Sequence, residues 1–169
     1  FDTLCGGVRC QSLLRGRTSI LNSNGVATFT TLQIDRLNEL GYILLFRMGK
    51  YTIYSQKFTV EPGAVHSLRI LNQPSTCQIT IRMPSAPVIE LLDAGLNRAN
   101  SSAIVTARVF PTSFTGISIT GEAVQASEGV ATFNNITLSG DAALGISLEF
   151  LSLGFSVVSD SFLAHRPAK

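Results

Sequence analysis

Apolar and polar residues alternate in short stretches along the chain, most clearly at residues 145–150, which read Gly-Ile-Ser-Leu-Glu-Phe. A period of two places Ile146, Leu148 and Phe150 on one face, which is typical of a β-strand buried on one side. Residues 41–46 keep apolar residues at the same parity but add Ile43 and Leu45 at the opposite parity. We therefore predict two related strands, of which the earlier one has an additional apolar face.

The sequence Gly-Val-Ala-Thr-Phe occurs twice, at residues 25–29 and 129–133, an offset of 104 (129 − 25). Further pairs keep this offset: Gly41 and Gly145, Phe46 and Phe150, Tyr51 and Phe155, Ser55 and Ser159, Phe58 and Phe162. A constant offset over about thirty residues indicates an internal repeat of domain size. In both copies the apolar parity changes after the motif, which predicts a bulge or short loop there.

The remaining pattern also favours strands. Residues 51–60 and 155–164 are predicted as the closing strand of each copy, and Glu61-Pro62-Gly63 as a break between modules. Other strand-sized segments are residues 78–82, 88–92, 103–110, 116–120 and 122–126. Many short strands separated by Gly, Pro, Asn and Ser indicate an all-β chain with β-sandwich architecture.

The second copy resembles a known module. It contains Asn72-Gln73-Pro74, Pro87-Val88-Ile89, Leu92-Asp93-Ala94-Gly95-Leu96-Asn97, the repeated motif and a final Ser159-x-x-Phe162. This is similar to the immunoglobulin-like repeat found in tandem in large cell-surface and extracellular proteins, including bacterial Ig-like and invasin-type modules. The resemblance implies tandem Ig-like β-sandwiches, with a partial domain at 1–62 and a complete one at 63–169. Leu96 departs from it, since the family usually has Asn there in a Gly-Asn turn.

The first copy has no counterpart of residues 64 to about 105, so the resemblance implies that its opening strands are missing. A sandwich without its first strands exposes core residues and strand edges. Two explanations follow: the chain is cut from a longer array, or another chain supplies the strands, as in donor-strand complementation. The apolar face at Ile43 and Leu45, with Tyr54, is the candidate interface, although a few tolerated surface apolar residues explain it equally well.

Composition and cysteines bear on location. The net charge of +2 comes from dispersed residues and does not suggest nucleic-acid binding, and no apolar run reaches the roughly 18 to 20 residues of a membrane span. Phe1 is not an initiator methionine and no signal-peptide pattern follows it, so we expect a processed chain or a piece of a longer one. Cys5 and Cys10 are candidates for a small disulfide loop, with Cys77 left over. Two N-x-[ST] sequons, at Asn100 and Asn135, add to the expectation of an extracellular or cell-surface glycoprotein.

Candidate chemistry is sparse. His66 and His165 form no arrangement with Ser, Cys or Asp that the sequence supports, and we expect structural or surface roles for both. Asp93, Gly95 and Asn97 offer too few oxygen ligands for a typical calcium loop. Tyr42 and Tyr51 fall on the core parity, which leaves only Tyr54 as an exposed aromatic for binding sugars. We therefore expect no catalytic residue, no metal and no cofactor.

The function expected from the sequence is structural. The chain is predicted to be a non-enzymatic module of an extracellular or cell-surface multi-repeat protein, including a subunit of a fibre or surface appendage. Its expected partners are other copies of itself or neighbouring Ig-like repeats, together with N-linked glycans. The alternative is an adhesin or a glycan-binding or protein-binding module, because sandwich modules serve all these purposes.

Overall fold

A computed structural model describes residues 2–5, 8–9, 14–21, 24–37, 40–111 and 116–166, with the backbone alone at 2–5, 8–9 and 144. Every regular element among these residues is a β-strand, so the chain is all-β. It divides into two compact units. The first comprises Phe1–Pro62 and Gly95–Asn97, and the second comprises Gly63–Ala94 and Arg98–Lys169.

The first unit contains six described strands: β1 (Asp2–Cys5), β2 (Val8–Arg9), β3 (Leu14–Arg15), β4 (Gln33–Ile34), β5 (Tyr42–Met48) and β6 (Tyr51–Tyr54). Four of them form an antiparallel sheet in the order β2-β1-β5-β6, and β3 pairs with β4. The β5–β6 hairpin turns at Gly49, which has a φ of 58° that glycine adopts without a steric penalty. Among the described residues of this unit, Tyr42 is the only fully buried hydrophobic one.

The second unit contains eleven described strands: β7 (Ser67–Asn72), β8 (Cys77–Gln78), β9 (Val88–Leu92), β10 (Ile104–Phe110), β11 (Ile117–Thr120), β12 (Ala123–Gln125), β13 (Val130–Thr132), β14 (Thr137–Gly140), β15 (Ala143–Ser152), β16 (Phe155–Val158) and β17 (Phe162–His165). One sheet has the order β13-β9-β7 and another β12-β10-β15-β17-β8, with β16 also paired to β15. A separate pair joins β11 to β14.

One hydrophobic core lies between the sheets of the second unit. Ile89 and Leu91 from β9 belong to the same buried cluster as Ile146, Leu148 and Phe150 from β15. The alternation along β15 explains this burial, because successive residues point to opposite faces of a strand. Two sheets that share one core are the arrangement of a β-sandwich.

The two units repeat the same hairpin. The partners in β5–β6 run from Leu45↔Tyr54 to Met48↔Tyr51, and those in β15–β16 run from Glu149↔Val158 to Ser152↔Phe155, each shifted by 104 residues. The aromatic pair Phe29–Phe46, with ring centroids 5.8 Å apart, has a counterpart in Phe133–Phe150 at 5.2 Å. The internal repeat is therefore a repeat of structure as well as of sequence.

A serine after each hairpin is held in the same way. The Leu44 N–H donates to Ser55 Oγ at 2.9 Å, and the Ser55 hydroxyl donates to the Gln56 carbonyl at 2.7 Å. The Leu148 N–H donates to Ser159 Oγ at 2.9 Å, and the Ser159 hydroxyl donates to the Asp160 carbonyl at 2.8 Å. This polar bridge supports the chain where it leaves the hairpin in both units.

The pairing of β1 shows where the repeat is incomplete. Asp2 pairs with Leu45 as Arg108 pairs with Glu149, so β1 corresponds to the end of β10. Among the described residues of the first unit, nothing corresponds to β7, β8 or β9. Residues 26–28, the counterpart of β13, form no strand there, and Leu21 is 92% exposed.

Three strand predictions were wrong in detail. Residues 78–82 form no continuous strand: β8 ends at Gln78, and the chain turns through Thr80, which has a φ of 70°. The predicted strand at 155–164 is two strands, β16 and β17, separated by the segment that contains Ser159. The predicted strand at 51–60 ends at Tyr54, followed by an isolated bridge at Phe58. The β-branched residues that suggested longer strands are also accommodated at turns and bridges.

Candidate interaction groove

An open apolar groove lies on one face of the β5–β6 hairpin in the first unit. We call it the apolar groove; it encloses about 450 Å³ and is lined by Ala27, Phe29, Phe46, Arg47, Met48, Tyr51 and Ile53. The hairpin register creates it, because Phe46 is opposite Ile53 and Met48 is opposite Tyr51, which places all four side chains on one face. An apolar sheet face of the kind that is usually buried therefore lines this cleft.

The lining is strongly exposed. Met48, Tyr51 and Ile53 retain 65%, 64% and 67% of their accessible surface. Their counterparts Ser152, Phe155 and Val157 are buried or half-buried, and Val157 packs against the core of the second unit. An exposed cluster of large apolar side chains in a cleft is typical of a surface that binds another polypeptide.

Positive charge accompanies the apolar groove. Arg47 contributes to the lining, and the Lys50 ammonium lies 5.4 Å from the centre of the Tyr51 ring. A cation at this distance over an aromatic face is attracted by the ring quadrupole. The contact orients Tyr51 at the hairpin turn while leaving most of its surface exposed.

A second opening lies among half-buried apolar side chains of the same unit. We call it the inner hollow; it encloses about 270 Å³ and is lined by Leu14, Leu32, Ile34, Leu44, Phe58 and Val60. Five of the six counterparts in the second unit, Ile136, Leu138, Leu148, Phe162 and Ala164, are buried in its core. The first unit thus has two openings, whereas the equivalent positions of the second unit lie within its own core or are partly covered.

The predicted interface residues lie on the other face of the same sheet. Leu45 is opposite Tyr54 and shares its parity with Ile43, so the structure brings these three side chains to one face. Ile43 and Leu45 are half-buried, and Tyr54 is exposed. Their role as an interface stays a prediction.

The prediction that Tyr51 belongs to the core was wrong. Its parity is the buried parity of the repeat, but in this unit the face carries the exposed lining of the apolar groove. Tyr51 and Tyr54 are three residues apart in one strand and therefore point to opposite faces, so they do not form a joint aromatic platform for sugars. Sequence reasoning missed Phe29, Phe46, Met48 and Ile53 as site residues; the missing strands were the signal that could have revealed them.

The remaining predicted sites are placed as follows. Asn100 and Asn135 are both exposed, Asn100 beside Arg98 and Glu128 and Asn135 in the turn between β13 and β14. The backbone of β1 and β2 forms a hairpin next to Cys5, whereas Cys10 and the side chain of Cys5 lie outside the described residues. Cys77 is a free cysteine, and its burial raises the pKa of the thiol, which lowers its reactivity.

The loop considered for calcium makes protein hydrogen bonds instead. Asp93 is buried and accepts a 2.9 Å hydrogen bond from the Gly63 N–H. Asn97 belongs to the first unit, where its amide donates to the Asp35 carbonyl at 2.8 Å. Across the described ranges, no group of three or more His, Cys, Asp or Glu side chains is placed to hold a metal ion. His66 packs against Phe155 in a tilted arrangement with ring centroids 5.6 Å apart, and His165 is exposed.

Two carboxylates of the second unit have shifted pKa values with structural causes. Burial acts to raise the pKa of Glu90, but hydrogen bonds and charges from Arg98 and Arg69 outweigh it and hold the pKa below its usual range. The Arg108 hydrogen bond is the main cause of the lowered pKa of Glu149, against an opposing effect of burial. Both carboxylates lie on buried strand positions and pair with arginines of neighbouring strands or loops, so that each buried charge is compensated.

No protein-family model matches this chain, and no curated protein is significantly similar to it. In the part of the chain that the structure describes, no helix has the length and apolarity that crossing a bilayer requires. The comparison that can be used to infer a function is therefore the comparison between the two units of the chain itself.

Proposed function

We propose that this chain is a non-catalytic structural module of an extracellular or cell-surface multi-repeat protein, built from Ig-like β-sandwich repeats that join through the first unit. One observation carries the proposal: the same hairpin, aromatic pair and serine bridge recur 104 residues apart, and the surface that is covered in one unit is open in the other. A repeat that leaves this much apolar surface open is suited to joining a neighbour.

The titratable groups support a structural role. Glu90 and Glu149 have lowered pKa values because arginines engage them, and Tyr42 and Cys77 have raised pKa values because they are buried. Acid-base catalysis instead uses groups whose pKa values are tuned within a cleft. The two openings of the first unit are lined almost entirely by apolar side chains, which favour packing over chemistry.

The mass of the polypeptide from its native source tests the multi-repeat proposal. After removal of glycans we expect a mass well above the 18.1 kDa of this chain, with peptides from further repeats of the same pattern. A deglycosylated polypeptide of 18.1 kDa would contradict a multi-repeat protein and would favour assembly of separate subunits.

Glycosylation tests the extracellular location. Both sequon asparagines are exposed, so an oligosaccharide can be attached at either position without disturbing the core. We expect Asn100 and Asn135 of source-derived protein to be modified, and glycosidase treatment to change the mass of both peptides. Ser102→Ala and Thr137→Ala each remove one sequon and serve as matched controls. Unmodified peptides at both positions would argue against this location.

The predicted interface at Ile43 and Leu45 is tested separately. In the second unit the same positions are Ser147 and Glu149. Because Leu45 is paired with Asp2, we would introduce serine at both positions to avoid two opposed acidic residues. If this face joins repeats, Ile43→Ser with Leu45→Ser weakens association in sedimentation velocity while the strand signal in circular dichroism is retained. Unchanged association would remove the face from the proposal.

A further inference from the structure

The second unit shows what covers the surface that corresponds to the apolar groove. There β9 pairs with β13, with the Leu91 N–H donating to the Gly129 carbonyl at 2.8 Å and the Phe133 N–H donating to the Pro87 carbonyl at 2.9 Å. Ile89 and Leu91 of β9 are fully buried in the cluster that contains Phe133 and Phe150. The covering element is thus a strand that supplies both backbone hydrogen bonds and apolar side chains.

The surface that corresponds to the inner hollow is covered by the same part of the chain. The Thr80 N–H donates to the Leu138 carbonyl and the Met83 N–H to the Ile136 carbonyl, both at 2.8 Å. Ile79 and Met83 lie in the buried cluster with Ile136 and Leu138. Residues 77–92 therefore cover β13, Ile136 and Leu138 in the second unit, and His66, directly before β7, contacts Phe155, the counterpart of Tyr51. Residues 66–92 thus cover the positions of the second unit whose counterparts are open in the first.

We propose that the first unit binds the opening part of a repeat of the same kind, a segment with the sequence pattern of residues 63–106 that has no closing strands of its own. This inference rests on the proposed function and names the partner of its site. The strand equivalent to β9 pairs with residues 26–28 in the register of β9 with β13, so that its apolar residues contact Phe29 and Phe46. The stretch equivalent to residues 77–83 enters the inner hollow.

A segment without closing strands of its own suits this role better than a second copy of this chain. In the second unit of such a copy, Ile89 and Leu91 are fully buried and would have to leave their own core before they could bind elsewhere. Removing two large aliphatic side chains from a packed core is strongly unfavourable. A segment whose own closing strands lie in the first unit carries no such penalty.

The register of β1 defines a direct test. Because Asp2 corresponds to Arg108, a second copy of residues 63–106 placed directly before Phe1 of the full chain continues the strand in register. We expect hydrogen exchange of the Ala27 and Phe29 amides to slow by about tenfold or more, because they correspond to Ala131 and Phe133, whose positions face β9, and the Phe133 N–H donates to the Pro87 carbonyl. Exchange of residues 146–150 serves as the internal reference and stays unchanged.

The matched control carries Ile89→Asp and Leu91→Asp in the added copy only, and we expect exchange at the Ala27 and Phe29 amides to remain as in the original chain. Equal exchange in both fusions, or no slowing in the first, would overturn the proposal. A synthetic peptide of residues 63–106 added to the full chain provides a second arm, in which the same amides become protected as its concentration rises. Absence of protection in both arms also overturns the proposal.

Sedimentation of the unmodified chain, combined with hydrogen exchange, tests whether a second copy of the chain occupies the apolar groove instead. A dimer in which the Ala27 and Phe29 amides are already protected would overturn the proposal in favour of a second copy. Rapid exchange of these two amides supports it, whether the chain is a monomer or associates through another face. Neither result depends on the mass of the source polypeptide, so this inference and the multi-repeat function can fail separately.

Discussion

Phe46 and Phe150 occupy the same position of the same hairpin, yet Phe150 is fully buried and Phe46 is only half-buried. Ile53 and Tyr51 are exposed, whereas their counterparts Val157 and Phe155 are half-buried. Backbone register and aromatic pairing are equal in the two units. Burial therefore depends on which strands lie opposite a face and not on the residues of that face.

The serine hydrogen bonds, in contrast, are alike in the two units. Ser55 and Ser159 make the same hydrogen bonds at nearly the same lengths, although Ser159 is buried and Ser55 is only half-buried. The bond requires only the hairpin and the residues that follow it, so it forms whether or not the opposite sheet is present. Local hydrogen bonding is retained where the core is incomplete.

The matched phenylalanines provide the largest test of this comparison. Phe150→Ala leaves a cavity in a closed core and should lower the free energy of unfolding of the second unit by about 3–5 kcal/mol. Phe46→Ala removes a side chain that already faces an opening, and we expect a loss of about 1 kcal/mol in the first unit. Hydrogen exchange resolved by peptide measures each unit separately. Equal losses would show that the two cores are equally closed.

Glu90 sharpens the comparison, because it lies in the part of the repeat for which the first unit has no described counterpart. Glu90→Gln leaves Arg69 and Arg98 without their carboxylate, and we expect the second unit to lose about 2 kcal/mol of stability, a moderate value because both arginines are more than half exposed. Glu122, which is exposed, is the matched control, and Glu122→Gln should change stability by less than about 0.5 kcal/mol.

The same carboxylates predict a pH dependence. The pKa values of Glu90 and Glu149 are lowered in the folded state, so their contribution is present above the unfolded glutamate pKa of about 4.3 and is lost as pH falls through the folded values. We expect acid to destabilise the second unit, and Glu90→Gln to reduce that sensitivity. The first unit has Leu45 in place of Glu149, so we expect acid pH to reduce its stability less at this position. Denaturant titrations at pH 7 and pH 3.5 provide the measurement.

The serine bridge gives a smaller effect. Ser159→Ala removes the acceptor of the buried Leu148 N–H and should destabilise the second unit by about 1–2 kcal/mol. Ser55→Ala removes the same bond in a partly exposed setting, where water can replace it, and we expect about 0.5 kcal/mol. A larger effect at Ser55 would mean that its surroundings are drier than those of Ser159.

The smallest effect is expected at the apolar groove. Tyr51→Ser should change the stability of the first unit by less than about 0.5 kcal/mol, because most of the side chain is exposed. Phe155→Ser, at the matched position, should cost the second unit about 1 kcal/mol because Phe155 is half-buried and packs against His66. Thermal unfolding followed by exchange in each unit distinguishes the two. A large loss for Tyr51→Ser would show that the apolar groove is already occupied.

The amino-acid sequence determined the local structure of this protein. Alternation at residues 145–150 indicated β15, and the offset of 104 related the two hairpins, because side-chain parity and turn residues act over a few positions. The departures also have local causes, such as the turn at Thr80 within a β-branched stretch that resembles a strand.

The tertiary structure decided burial and the charged contacts. Parity placed Tyr51 on the core face, but only the absence of covering strands among the described residues made it exposed. Likewise, a glutamate within an apolar strand gave no sign that Arg69 from β7 and Arg98 would converge on it. Both outcomes depend on contacts between residues distant in sequence. Local periodicity records the face on which a side chain lies, whereas the elements packed against that face determine whether it is covered.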